Sequence, residues 1–195
     1  MKILIKDFYH RDTIQVAKDL LGKKLVRRQK GRTLSGMIVE TEAYLSHTDS
    51  ASHAFKGQTP RNSVMFGPAG RAYVYFVYGM HYMFNIVTED KGSPGAVLIR
   101  AVEPLEGLNQ MEARRKKTGK DLTNGPAKLC QAMAIDKSLN GWDLTCGKTL
   151  WLEDYKAIPD TRVIRSPRIG IDYADSKDRQ ANLRFLVDKD IDSNP

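Results

Sequence analysis

The sequence predicts an α+β fold: a curved, mostly antiparallel β-sheet with flanking helices and a protruding β-hairpin. Three observations point there. Segments rich in β-branched and aromatic residues come in runs, without regular alternation with helical patterns. The stretch YVYFVYGMHYMFNIV alternates on both sides of Gly79, as two strands turning back on each other do, with Tyr78 and His81 near the tip. No interdomain linker, internal repeat or low-complexity tract interrupts the 195 residues. A single domain over 1–195 is therefore expected, with the acidic end from Asp188 to Pro195 as a flexible tail.

In chain order, Asp12 or Thr13 can cap a short helix through Leu21, in which Ile14, Ala17, Leu20 and Leu21 form one apolar stripe before Gly22 stops it. Strands are expected at 24–28, 34–45, 72–78, 80–87, 96–102, 149–152, 161–171 and 183–187. Leu105 to Lys117 reads as an amphipathic helix, and GPAKLCQAMAI opens a second with Pro126 at its first position. The polar stretch from Ser46 to Pro68 is too long for an ordinary connection in a compact domain, which points to a functional loop.

With 31 Lys and Arg against 23 Asp and Glu, the formal charge is +8 and the pI about 9.4, a balance that favours a polyanionic partner. The charge gathers in three clusters: Lys23, Lys24, Arg27, Arg28 and Lys30; Arg114 to Lys117; and Arg162, Arg165 and Arg168. Each alone reads as a solvated face, whereas all three beside an aromatic hairpin suggest phosphate contacts. Cys130 and Cys146 show neither a disulfide framework nor a zinc spacing, and a reducing cytoplasm is expected. No signal peptide or long apolar run is present, so no membrane partner is expected. The glycines form neither a dinucleotide fingerprint nor a P-loop, and no G-x-S-x-G elbow occurs, which leaves a cofactor-independent hydrolysis as the better fit.

Chemistry concentrates between Ile38 and Val87. In IVETEAYL, strand periodicity puts Ile38, Glu40, Glu42 and Tyr44 on one face. Glu42 there is either a general base against a partly apolar wall or a strand glutamate paired with a basic side chain. Glu40 would lie about 7 Å away, near the spacing of an inverting glycosidase pair. Two acids on one strand approach a bond from the same side, however, so Glu40 reads as structural. His47, Asp49 and His53 carry metal-ligating atoms but match no zinc signature, and loop histidines that hydrogen-bond or stack are the simpler reading. Tyr73 and Tyr75 share one strand face and Val74, Phe76 and Tyr78 the other, so some tyrosines reach a pocket or solvent unless cross-strand aromatic pairs absorb them. Spacing assigns no task to Asn85 or Arg100.

These residues also sit in longer motifs: VETEAYL, D-x-A-x-H at Asp49 to His53, QTPRN at Gln58 to Asn62, YVYFVYGM at Tyr73 to Met80, FNIV, VLIRAVEPLEG and GPAKLCQAMAI. In that order, from about Leu4 to Val187, the chain resembles the alkyladenine, or 3-methyladenine, DNA glycosylase family of base-excision repair. The resemblance implies a monofunctional, metal- and cofactor-independent glycosylase, working as a monomer on double-stranded DNA with damaged purines, in the cytoplasm with the nucleoid. By this resemblance Glu42 activates the water, and Tyr44, Ala51, His53 and Tyr75 enclose the flipped base. Asn85 shapes the pocket floor against guanine's amine. Tyr78 fills the gap left in the minor groove, with Met80 and His81 beside it contacting DNA, and Arg100 holds backbone phosphate. His81 stands where animal members have tyrosine.

Overall fold

Lys30 and Gly31 both take positive φ, 50° and 74°, the backbone a tight two-residue hairpin requires. β1 (Lys24–Gln29) therefore folds back on β2 (Arg32–Tyr44), with Gln29 opposite Arg32. In the computed structural model, which describes residues 2–188, β2 organises the sheet. It pairs with β5 (Gly95–Glu106) along one edge. Along the other it pairs first with β1, over 32–37, and then with β8 (Arg184–Val187), at Glu40, Thr41 and Glu42. That edge forks, and Glu42 ends up between two strands.

Beyond β5 come β4 (His81–Thr88) and β3 (Ala72–Val77); beyond β1 comes β6 (Leu150–Glu153); and β7 (Val163–Ser166) pairs with β8. Every strand pairing among the described residues is antiparallel. The α+β reading holds.

A bulge breaks the alternation expected in β2. Ile38 pairs with Val102 and Glu40 with Ala101, so Val39 is an extra residue. An inserted residue moves its neighbours to opposite faces. Ile38 joins the core beside Ala43, away from Glu40, Glu42 and Tyr44, with which strict alternation had placed it. On the core side, α2 (Thr13–Asp19) starts where the Asp12 side chain accepts the Gln15 N–H, and buries Val16 and Ala17. The Thr41 hydroxyl donates to the Ala17 carbonyl at 2.8 Å, which satisfies a buried polar group and docks helix to strand. α4 (Pro126–Met133) starts at its proline, buries Leu129, Cys130, Ala132 and Met133, and packs on β4 beside α3 (Leu108–Arg115).

The expected strand over 161–171 shrinks to β7, because Pro167 lacks a ladder N–H and Gly170 takes φ 76°. The helix expected over 105–117 starts later: β5 runs to Glu106, and Gly107 turns with φ 79°. Two short helices, α1 (Lys6–Tyr9) and α5 (Ser176–Gln180), escaped notice because four or five residues carry no readable period. The tail from 189 onward lies outside the described residues. No helix among the described residues is long and apolar enough to cross a membrane.

Candidate active site

Antiparallel pairing sets out a row of residues across five strands. Tyr73 lies opposite Asn85, Asn85 opposite Leu98, Leu98 opposite Glu42, and Glu42 opposite Arg184. Directly opposed residues share a face, so side chains far apart in sequence arrive on one surface. Tyr44, opposite Ala96, and Tyr75, opposite Met83, widen it. With two covering loops they enclose a cavity of about 270 Å³, whose lining includes Tyr44, Ala51, His53, Tyr75, Asn85 and Arg100. That is close to the lower end, about 300 Å³, of small-molecule sites.

Glu42 has no exposed surface and is not among the lining residues, but three residues that contact it, Tyr44, Arg100 and Ile169, line the cavity. Its Oε1 accepts the Ile169 N–H at 2.9 Å, and its Oε2 accepts the Tyr44 hydroxyl at 2.9 Å. Arg100 reaches from β5, pairing with Glu42 Oε2 at 3.2 Å through Nη1 and with Glu40 Oε1 at 2.8 Å through Nε. Glu40 also meets Arg184 at 3.1 Å. Glu40, read from the sequence as structural, holds the arginine that holds Glu42. The guanidinium of Arg100, assigned to phosphate by the family resemblance, has both Nε and Nη1 engaged by carboxylates.

Aromatic side chains make the walls. His53 packs edge-on to Tyr75, with ring centres 4.6 Å apart, and its Nδ1 hydrogen-bonds the Tyr73 hydroxyl at 2.9 Å. Burial, helped by nearby Arg61, lowers the His53 pKa from 6.5 to about 4, so the ring is neutral at physiological pH. Burial pushes Tyr73 up to about 12. Tyr75 is also raised, by burial and then by Tyr73, and Tyr44 by burial and then by Glu42. The hydroxyls therefore stay protonated. Asn85 is buried and donates from Nδ2 to the Tyr73 carbonyl at 3.2 Å.

At the tip of the β3–β4 hairpin, Tyr78 and Gly79 take φ 53° and 67°. Tyr78 is 81% exposed and Met80 68%, and His81 pairs with Val77 at the hairpin base. Tyr78 also reaches the cavity lip, so the tip and the pocket form one continuous surface.

Several site residues were not read from the sequence. Arg61 stacks over Tyr75 at 5.3 Å and donates to the Phe76 carbonyl. Tyr173 lines the cavity and donates to the Ala51 carbonyl at 2.9 Å. Arg168 appeared only as part of a basic cluster. It is instead buried, pairing with Asp49 at 2.6 and 2.8 Å. That pairing also answers the metal reading of the His47, Asp49 and His53 loop. Asp49 is taken by Arg168, His53 by Tyr73, and His47 packs beside Phe66. Among the described residues no three His, Cys, Asp or Glu side chains gather as metal ligands.

The basic clusters divide. Lys24 is buried against Glu106, Arg27 donates to the carbonyls of Ala134, Arg28 and Thr149, and Arg114 donates to the Ala132 carbonyl and Gln29. Arg28, Lys30, Lys116, Lys117 and Arg165 are exposed, so each cluster keeps some charge facing outward.

Comparison with known proteins adds to this geometry. Residues 7–191 match the family described as methylpurine-DNA glycosylase (MPG). A protein of Methanocella arvoryzae provisionally named 3-methyladenine DNA glycosylase is 50% identical over 176 residues, covering 89% of this chain and 87% of its own. One of the same provisional name from Carboxydothermus hydrogenoformans is 51% identical over 170 residues, covering 87% and 88%. Another from Clostridium perfringens (strain 13 / Type A) is 45% identical over 193 residues, covering 93% and 94%. The chain belongs to the methylpurine-DNA glycosylase family.

Proposed function

We propose that the protein is a monofunctional DNA repair glycosylase. In this reading it flips 3-methyladenine and related damaged purines out of duplex DNA and hydrolyses the N-glycosidic bond with a Glu42-activated water, leaving an abasic site. It would act as a one-domain monomer on the chromosome. The observation that carries the proposal is a fully buried carboxylate gripped by three residues that line an aromatic cavity, in a chain of this family.

An alkylated purine is cationic and leaves readily, so the protein must mainly extract it, stack on it and deliver water. Neutral His53 and protonated Tyr44 and Tyr75 offer uncharged, electron-rich rings to such a base. Ala51 keeps the wall small, and Asn85, fixed by the Tyr73 carbonyl, sets a floor that the guanine amine would strike. Tyr78, flanked by Met80 and His81, would fill the space that the flipped nucleotide vacates. As the bond from C1′ to the base breaks, its electron pair leaves with the base. Water adds to C1′ and gives its proton to Glu42. Oε1 is the better placed oxygen for that proton, because it accepts only the Ile169 N–H while Oε2 carries both Tyr44 and Arg100. Arg100 keeps Nη2 for a backbone phosphate once DNA is seated.

The test is single-turnover release of free 3-methyladenine from methylated duplex by wild type and Glu42→Gln in the presence of chelator. Strand breaks are scored before and after alkali. Free base from wild type, breaks only after alkali, and a loss of about 10²–10⁴-fold in Glu42→Gln are expected. Tight binding without release by wild type would overturn the proposal in favour of a non-catalytic reader of damaged DNA. Release abolished by chelator would overturn it in favour of a metal-dependent hydrolase.

A further inference from the structure

Glu42's two hydrogen bonds lead back to a group that does not line the cavity. The Arg168 side chain is wholly buried. Its Nη1 donates to the Ala43 carbonyl at 2.9 Å and to Asp49 Oδ2 at 2.6 Å, and its Nη2 to Asp49 Oδ1 at 2.8 Å and to the Asp178 carbonyl at 3.3 Å. The guanidinium carbon sits 4.7 Å from the centre of the Tyr44 ring. The next residue, Ile169, gives its N–H to Glu42 Oε1, and Tyr44 gives its hydroxyl to Oε2. One donor is thus held by chain adjacency to Arg168. The other is held by stacking on Arg168 and by its bond to Ala43, which separates Glu42 from Tyr44. Asp49 completes the ring by accepting the N–H groups of Leu45 and Ala51 at 3.0 Å each.

We infer that Arg168, locked to Asp49, is a positioning residue that fixes the carboxylate of Glu42 for water activation. This rests on the glycosylase reading. A buried ion pair is a poor device for stability alone, because desolvating both charges offsets most of their attraction and a well-packed apolar pair does as well. What an apolar pair lacks is direction. The planar fork of Arg168 serves a carboxylate and two carbonyls at once, which neither lysine nor an aliphatic chain can do. It also joins three segments that strand pairing leaves independent: the end of β2, the 45–54 loop, and the 167–173 loop that brings Ile169 over Glu42.

Arg168→Met removes the fork that holds both donors to Glu42, the Ile169 N–H and the Tyr44 hydroxyl. It should therefore lower the rate of base release while leaving affinity for damaged duplex in place, a split that mere loss of folded protein would not produce.

The experiment compares wild type, Arg168→Lys, Arg168→Met and Asp49→Asn in single-turnover release of 3-methyladenine, with affinity for damaged duplex and folded fraction measured separately. For Arg168→Met the expected result is a fall of about a hundredfold in the rate constant, the size a displacement near 1 Å produces. Binding should change little. Asp49→Asn, which unlocks Arg168, should lower the rate constant as well, and Arg168→Lys should recover only part of the rate. A wild-type rate per folded Arg168→Met molecule would overturn the inference. If that variant does not fold, Arg168→Lys decides in the same way: a reduced rate with unchanged binding supports the inference, and a wild-type rate overturns it. An inactive wild type would overturn the glycosylase reading and this inference together, whereas an active wild type with variants of wild-type rate overturns this inference alone.

Discussion

At the level of single residues, the site combines side chains whose protonation is set by burial. His53 is the clearest case, because its lowered pKa, about 4 against an ordinary 6.5, carries a sign that can be tested. Between those values the unfolded chain holds a proton that the folded chain does not, so stability rises with pH across that window. The contribution of His53 is lost as pH falls from 6.5 towards 4. His53→Gln should flatten that part of the stability curve, and an NMR titration of the His53 ring should give a midpoint well below 6.5. A midpoint at 6.5 would mean that the ring is solvated in the folded state. Glu42, Tyr44 and Tyr75 were legible as candidates because a strand's period of two is local and Tyr44 follows Glu42 on the same face. Arg168 and the Ile169 N–H were not. Their partners lie 119 and 127 residues away, and nothing in a run of arginines tells which one closes back onto an aspartate.

Among the structural elements, the hairpin was the most legible and the 167–173 loop the least. The hairpin announces itself through alternation on both sides of one glycine, and a short turn fixes its register. The loop was read as strand because Ile164, Ile169 and Ile171 are β-branched, yet Pro167 and Gly170 end the ladder and turn the chain into the site. The hairpin supports a prediction of its own. Gly79 takes φ 67° with open space where a side chain would go, so substitution there costs backbone strain and not a clash. Gly79→Val should lower stability by about 1–2 kcal/mol, and Gly79→Asn by clearly less, because asparagine visits the left-handed region more readily. Thermal unfolding of the two variants checks this. Equal losses would show that the turn has relaxed to a different type. Because Tyr78 sits beside Gly79, the valine variant should also bind damaged duplex more weakly.

For the molecule as a whole, the α+β class and the antiparallel sheet could be read from composition and pattern, but the strand order could not. Nothing local says that β8, near the end of the chain, pairs with the middle of β2 at Glu40 to Glu42. That long-range pairing puts Glu42 between two strands and so helps to make it fully buried. Phe185 secures it. It lies opposite Thr41, is 1% exposed, and belongs to the main core. Phe185→Ala should cost about 3–5 kcal/mol. At about 2–4 °C per kcal/mol for a chain of this size, its melting temperature should fall on the order of 10 °C. If β8 serves the site as well as the core, the effect goes further. A loosened β8 withdraws Arg184 from Glu40, and Arg100, held by Glu40, then holds Glu42 less firmly. Base release per folded molecule should then drop even at temperatures where the variant is fully folded, and Arg184→Met should reproduce that drop with little change in melting temperature. A Phe185→Ala protein that releases base at the wild-type rate whenever it is folded would confine β8 to stability, and Glu42 would owe its placement to β5 and the 167–173 loop alone.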